Sequence, residues 1–352
     1  MQNQVYLYGL LGRNEHNEPF TSVEIDGKKE PVLCFWYKNI GFAISRAPTY
    51  SFDELTREEL VDWFIKHLTV IEIIHRNYPL VPVKLGTVIN NMETVRQVLE
   101  QNECQFNQLL DSMAGNNEWD LTVSWCDLPK VLAVVSEEET IKNYKEHLVT
   151  TGQVSQQDLI KVGEMISMAL TRQKKNIGSR ILAELASLLT EYYINEVADD
   201  NIVLSLATLV KSGQEEAVKT KLAALDNTLL QNYGIELDFQ LVGPLPPKSF
   251  TTIEIKKITE GQLETAQKFL GLPVGASLKQ IKDAKRVHLR ISHPDISILE
   301  ENEMAQNEQV QKIVATTGML EEYCRHYGYC SLPENPGDSY ILRIITPDKR
   351  QS

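Results

Sequence analysis

"IELDFQLVGPLPP", residues 235–247, reads as a strand that runs into a proline-rich stop. Its place at the end of a longer succession decides the fold class. Upstream, "EWDLTVSW" (118–125) is a strand with alternating faces, and helical patterns follow over about 128–149 and 155–197, the second interrupted near Gly178. "NIVLSLATLV" (201–210) is again strand, and "QEEAVKTKLAALDNTLLQNY" (214–233) is helix. A β-α-β-α-β order of this kind fits a ferredoxin-like α+β layer whose first helical crossover is enlarged. "TIEIKKI" (252–258) is an edge strand that either closes this unit or leads out of it.

The residues before this unit mix α and β. "VYLYGLL" (5–11) and "VLCFWY" (32–37) are rich in β-branched and aromatic residues, and "IGFAIS" (40–45) follows after Lys38-Asn39, which predicts a hairpin. Leu60, Trp63, Phe64, His67, Leu68, Ile71 and His75 recur at helical spacing and predict one buried helix face. "VPVKLGTVI" (81–89) returns to strand, and "NMETVRQVLEQNECQFNQLLDSM" (91–113) is a second amphipathic helix ending near Gly115. The expectation is a small sheet with helices on one face.

Beyond Thr259 the pattern changes. "GQLETAQKFLGL" (261–272) is a short helix, "PVGAS" (273–277) a turn, and "LKQIKDAKRVHLRI" (278–291) a helix rich in cations. "HPDISILEENE" (293–303) reads as loop, residues 304–328 as a long helix, and "SYILRIIT" (339–346) as a strand that can add to a sheet edge. The expected fold class is therefore α+β. It comprises an N-terminal mixed domain (1–117), a modified ferredoxin-like domain (118–258), a helical unit (259–330) and a tail (331–352).

Composition narrows the function classes. A formal charge of −13 opposes non-specific binding to nucleic acid or acidic membrane lipid. The opening "MQNQVYLYGLLGRNEHNE" lacks a secretory signal, and no apolar run approaches the ~18 residues needed to span a bilayer. Cys34, Cys104, Cys126, Cys324 and Cys330 are odd in number and scattered, as expected of reduced cytosolic thiols. Cys324, His326 and Cys330 match no common zinc spacing, so no metal is expected. Nor is any cofactor, because phosphate-binding, dinucleotide, zincin and nucleophile-elbow motifs are missing from the sequence. His67 and His75, eight apart on one apolar helix face, are read as packed rings with a satisfied nitrogen. The competing reading gives them a ligand or acid–base role.

His293-Pro294-Asp295 allow three readings. As an acid–base pair they diverge across a rigid proline, and as metal ligands they are too few. As a recognition loop they fit: proline disfavours helix in the residue before it, and Asp295 can bond nearby backbone N–H groups. The preceding helix supports this. Lys279, Lys282, Arg286 and Arg290 share one face, and together with Lys285 they face only Asp283 in opposition. Such a face is usually just solvated. Here it is a local excess of four positive charges in an acidic chain, which steers an acidic partner to it.

Residues 260–328, with "FLGLPVGAS", "KQIKDAKRVHLRIS" and the His-Pro-Asp tripeptide, resemble a J-domain, the module by which co-chaperones engage Hsp70. That resemblance implies that His293, Pro294, Asp295, Lys279, Lys282, Arg286 and Arg290 contact Hsp70 and stimulate its ATPase. The first 258 residues resemble the gas vesicle protein F/L group, through "VYLYGLL", residues 81–125 and "NYGIELDFQLVGPLPPKSF" (232–250). This second resemblance implies the two α+β domains above. It also implies a non-enzymatic accessory role in gas vesicle assembly in the cytoplasm, with the hydrophobic shell protein and other gas vesicle proteins as partners. No catalytic residue carries over. The alternatives are a generic J-type co-chaperone with an unrelated substrate domain and a small-molecule enzyme built around His67 and His75.

Overall fold

The computed structural model describes residues 4–12, 19–152, 154–233, 236–291, 303–326 and 339–346. The chain begins with β1 (Val5–Gly12), β2 (Thr21–Ile25), β3 (Lys28–Tyr37) and β4 (Ile40–Arg46). The β3–β4 hairpin turns at Lys38-Asn39, where the sequence placed it, with Lys38 at φ 53°. The β2–β3 hairpin is additional. Asp26 and Gly27 supply its two positive-φ residues, at 50° and 71°, and an Asp-Gly pair is suited to that turn.

Helix α1 (Arg57–His75) starts at a reciprocal cap between Thr56 and Glu59. After it come β5 (Leu80–Pro82) and β6 (Val88–Ile89), then α2 (Met92–Gln101) and α3 (Glu103–Met113). The single helix expected over 91–113 is thus broken at Asn102, whose side chain bonds back to the Val98 carbonyl. In the first sheet the order is β2-β3-β4-β1-β5, and β6 also pairs with β1.

Helices cover both faces of this sheet, against the expectation of one. The alternation of β1 explains why. Tyr6 and Tyr8 point toward α1, joining Trp63, Val70, Ile71 and Ile74. Leu7 and Leu10 point the other way, joining Val95, Leu99, Phe106 and Leu110 of α2 and α3. A register shift between Leu7 and Gly9 puts Leu10 on the same side as Leu7. Each fully buried aliphatic or aromatic side chain contributes about 1.5–3 kcal/mol. A strand apolar on both sides therefore needs both cores.

The second sheet begins with β7 (Asn116–Trp125). The crossover that follows contains α4 (Leu128–Ser136), α5 (Glu139–Thr151) and the 30-residue α6 (Gln156–Leu185). Helix α6 passes through Gly178 without a break. It ends twelve residues earlier than expected, and the remainder supplies β8 (Leu189–Ile194), followed by β9 (Ile202–Lys211), α7 (Glu215–Tyr233) and β10 (Leu237–Leu245). The strand order β10-β7-β9-β8 is antiparallel throughout. With β8 in place the succession is β-α-β-β-α-β, the split βαβ arrangement. Trp119, Leu121, Val123 and Trp125 face α6 and α7 across one core with Ile181, Leu185, Leu222 and Leu229.

Strand β11 (Thr252–Ile258) leads out of this sheet. It makes a parallel bridge from Ile253 to Val83, and Lys84 N donates to the Ile253 carbonyl. Ile253 and Ile255 accordingly sit in the α2–α3 core of the N-terminal sheet. The C-terminal helices α8 (Glu260–Phe269), α9 (Leu278–Ile291) and α10 (Glu303–His326) follow, and β12 (Ser339–Ile345) returns to pair antiparallel with β11 along its whole length. The tail strand thus finds a sheet edge. Tyr340 and Leu342 pack on the N-terminal core, while Ile341 packs with Leu263, Ile281, Leu320 and Tyr323 of the helical unit. Among the described residues no helix is long and apolar enough to cross a membrane.

Candidate interaction surfaces

Helix α9 is positioned by a reciprocal cap. Ser277 Oγ accepts from Gln280 N at 3.2 Å, while Gln280 Oε1 accepts from Ser277 N at 2.8 Å. Ile281 anchors it in the helical core, and the half-buried His288 ring stacks on Phe269 at 6.0 Å. Those anchors orient the opposite side outward. Lys279, Lys282, Arg286 and Arg290 are all exposed. Arg286 meets Asp283 at 3.4 Å, an exposed pair worth little. Val287 and Ile291 add exposed apolar area along one flank. His293, Pro294 and Asp295 lie outside the described residues, as does Cys330.

His67 and His75 belong to two separate hydrogen-bonded sets. His67 is buried, with Nδ1 2.8 Å from the Tyr6 hydroxyl. Gly86 N donates to that same hydroxyl at 3.3 Å. A neutral imidazole that accepts at Nδ1 and bonds the Val83 backbone satisfies this set. Burial holds the His67 pKa down at about 4, with the Val83 bond pulling the other way. The neighbouring Tyr8 hydroxyl, bonded to Ser45 at 3.0 Å, is pushed up to about 12 by desolvation. His75 Nε2 donates to Asn117 Oδ1 at 3.0 Å, and burial lowers its pKa as well. That bond ties the end of α1 to the start of β7. Tyr6 and Asn117 are the side chains that the two imidazoles bond, and neither is a carboxylate.

Glu118 is a buried carboxylate that the sequence reading missed. It alternates with Trp119 and Leu121 along β7 and so reads as outward-facing. The Pro246-Pro247 turn folds the next segment back over it. Ser249 donates to Glu118 through N at 2.8 Å and Oγ at 2.7 Å, and Lys248 Nζ stands 3.3 Å from Glu118 and 3.4 Å from Asp120. Desolvation keeps the Glu118 pKa raised despite Lys248. The cluster clamps the connection between β10 and β11.

Helix α1 shows its other side to solvent. Val61, Phe64 and Ile65 are 51%, 46% and 56% exposed, so Phe64, expected with Trp63 in the core, lies outside it. The buried set is Trp63, His67, Val70, Ile71 and Ile74, rotated away from the face read from the sequence. Leu159, Ile160 and Met168 are likewise exposed on the first half of α6. Among the described residues no group of three His, Cys, Asp or Glu side chains is placed to hold a metal ion.

Comparison with known proteins identifies the architecture. Residues 4–252 match the family of gas vesicle synthesis proteins GvpL/GvpF. The crystal structure of the gas vesicle protein GvpF from Anabaena sp. PCC7120 is similar, with a TM-score of 0.57 and 20% identity. The match covers 70% of this chain and 97% of that one. The crystal structure of GvpF from Microcystis aeruginosa gives a TM-score of 0.53 and 20% identity, covering 70% and 98% respectively. No match was found among curated proteins. The chain belongs to the GvpL/GvpF family, and membership points to a role in gas vesicle assembly.

Proposed function

We propose that this protein is a non-enzymatic accessory factor of gas vesicle assembly that holds or nucleates the hydrophobic shell subunit, and that its C-terminal helical unit brings Hsp70 to that client. The observation that carries the reading is the solvent-facing apolar set Val61, Phe64 and Ile65 on α1, in a member of a gas vesicle synthesis family. Three large side chains at positions i, i+3 and i+4 form a contiguous patch, and contiguous patches mark contact surfaces. A shell protein with a wide apolar face aggregates unless it is covered until it docks. A patch of matching chemistry on a rigid helix can provide that cover.

The Hsp70 part rests on the exposed cations Lys279, Lys282, Arg286 and Arg290, which precede His293-Pro294-Asp295 and resemble the working face of a J-domain. The family match over residues 4–252 supports the gas vesicle reading over a J-type co-chaperone with an unrelated substrate domain. A pull-down of shell subunit by the purified protein tests the first part. No capture, together with normal vesicles after deletion, rejects it. Hsp70 ATPase measured with and without the protein tests the second. Stimulation is expected, and a stimulation unchanged by His293→Gln rejects the J-like assignment.

A further inference from the structure

We infer that the groove between α8 and α10 is a docking site for an acidic amphipathic helix of a partner protein. This groove is separate from the cationic face of α9, none of whose cations line it. Its volume is about 550 Å³. Ala266, Phe269, Ala315 and Met319 give it an apolar floor. Ala266 and Phe269 come from one side of α8, and Ala315 and Met319, four residues apart, from one side of α10. Side chains from two helices lining one trough leave the kind of site in which a third helix seats.

Charge selects the occupant. Lys312 stands at one end of the groove, its ammonium 4.9 Å from the centre of the Phe269 ring. Lys256 also lines the groove, from the end of β11 just before the α8 cap residue Thr259. Both are exposed, and among the described residues neither has a carboxylate partner. The run from Gly261 to Phe269 spans about 12 Å of helix at about 1.5 Å per residue. Carboxylates at positions i and i+7 of a bound helix stand about 10.5 Å apart, within that length, and can reach toward both lysines. Apolar residues at i+3 and i+4 then lie between them and meet the floor. The α9 cations attract acidic segments too, so it is the apolar floor beside Lys256 and Lys312 that places this one.

Gly261 supplies the test. A Cβ added there meets nothing within 4 Å, so a bulky side chain fills the groove without disturbing the fold. The probe is an alanine-based helical peptide with Glu at i and i+7 and Leu at i+3 and i+4. A sibling peptide carries Lys in place of both Glu residues. Binding to the full-length protein is read by fluorescence anisotropy at low salt. The acidic peptide is expected to bind at least about tenfold more tightly than the basic one. Gly261→Phe should abolish its binding, and the double variant Lys256→Glu/Lys312→Glu should reverse the preference. Equal binding of the two peptides, no binding of the acidic one, or binding unaffected by Gly261→Phe overturns the proposal.

Discussion

The Tyr6 hydroxyl and His67 Nδ1 meet 2.8 Å apart inside the N-terminal core, where β1 crosses α1. The pair has a consequence for acid stability. Below about pH 6.5 the unfolded chain protonates this imidazole, whereas the native state resists until about pH 4. The unfolded state therefore binds more protons in that window, and stability falls as pH drops through it. A shift of this size corresponds to about 3 kcal/mol, fully present above pH 6.5 and lost by pH 4. His75, also held low by burial, acts in the same direction. Urea denaturation across this range should show the loss, and His67→Gln should flatten the slope.

Glu118 and Lys248 behave asymmetrically. The Glu118 pKa is raised by desolvation, so ionisation of this carboxylate costs stability as pH rises through its folded value. Neutralising it as Glu118→Gln should cost little, on the order of 1 kcal/mol, since Ser249 still has an acceptor. Lys248→Met removes the compensating charge from a fully buried carboxylate and should cost about 3 kcal/mol or more. Thermal melts of the two single variants decide the order.

Two glycines sit where no side chain fits. A Cβ at Gly243 falls 2.5 Å from the Trp119 ring and 2.9 Å from the Glu118 carbonyl oxygen. At Gly41 it falls 2.6 Å from Cys34 Sγ and 2.7 Å from the Phe35 carbonyl oxygen. Gly243→Ala and Gly41→Ala should each destabilise by about 1–3 kcal/mol, because backbone on the far side cannot yield. Gly163→Ala, in open space on α6, should be neutral or slightly stabilising in the same melts.

The tail strand belongs to the N-terminal core as much as to the C-terminal unit. Beyond the β11 ladder, the Tyr340 hydroxyl accepts from Asn90 N at 3.3 Å, and Arg343 reaches both Glu254 and Glu322, at 3.8 and 3.6 Å. Glu254 also pairs with Lys84. Truncation before Ser339 uncovers Ile253, Ile255 and Ile258, so hydrogen exchange should rise in β11 and in the adjoining Val83-Lys84 segment. Exchange confined to α8–α10 would contradict this arrangement.

The legible parts of the fold were those with local signals. Periodicity gave α1, α7 and α10, and the Lys38-Asn39 turn gave its hairpin. Strand β8 is hidden because "LTEYYI" follows a long helix whose 3.6-residue pattern runs on past Leu185, although its tyrosines and isoleucine favour strand. Strand β2 is not among the strands expected from the sequence, despite its Asp26-Gly27 turn. Phe64 reads as buried because one-dimensional spacing cannot say which of two apolar stripes on α1 meets the sheet. Glu118 and β12 depend on partners 130 and about 90 residues away, Lys248 and β11, and no local pattern encodes those contacts. The α9 cations were readable as an exposed face because Ile281 fixes the side that is buried.

Co-sedimentation of purified full-length protein with the shell subunit, comparing the native sequence with Phe64→Glu/Ile65→Glu, tests the central claim most directly. Both substituted positions are exposed, so folding should be preserved. The native protein should hold the subunit in solution, and the double variant should release it to aggregate. Equal retention by both proteins, or no retention by the native one, would contradict the account.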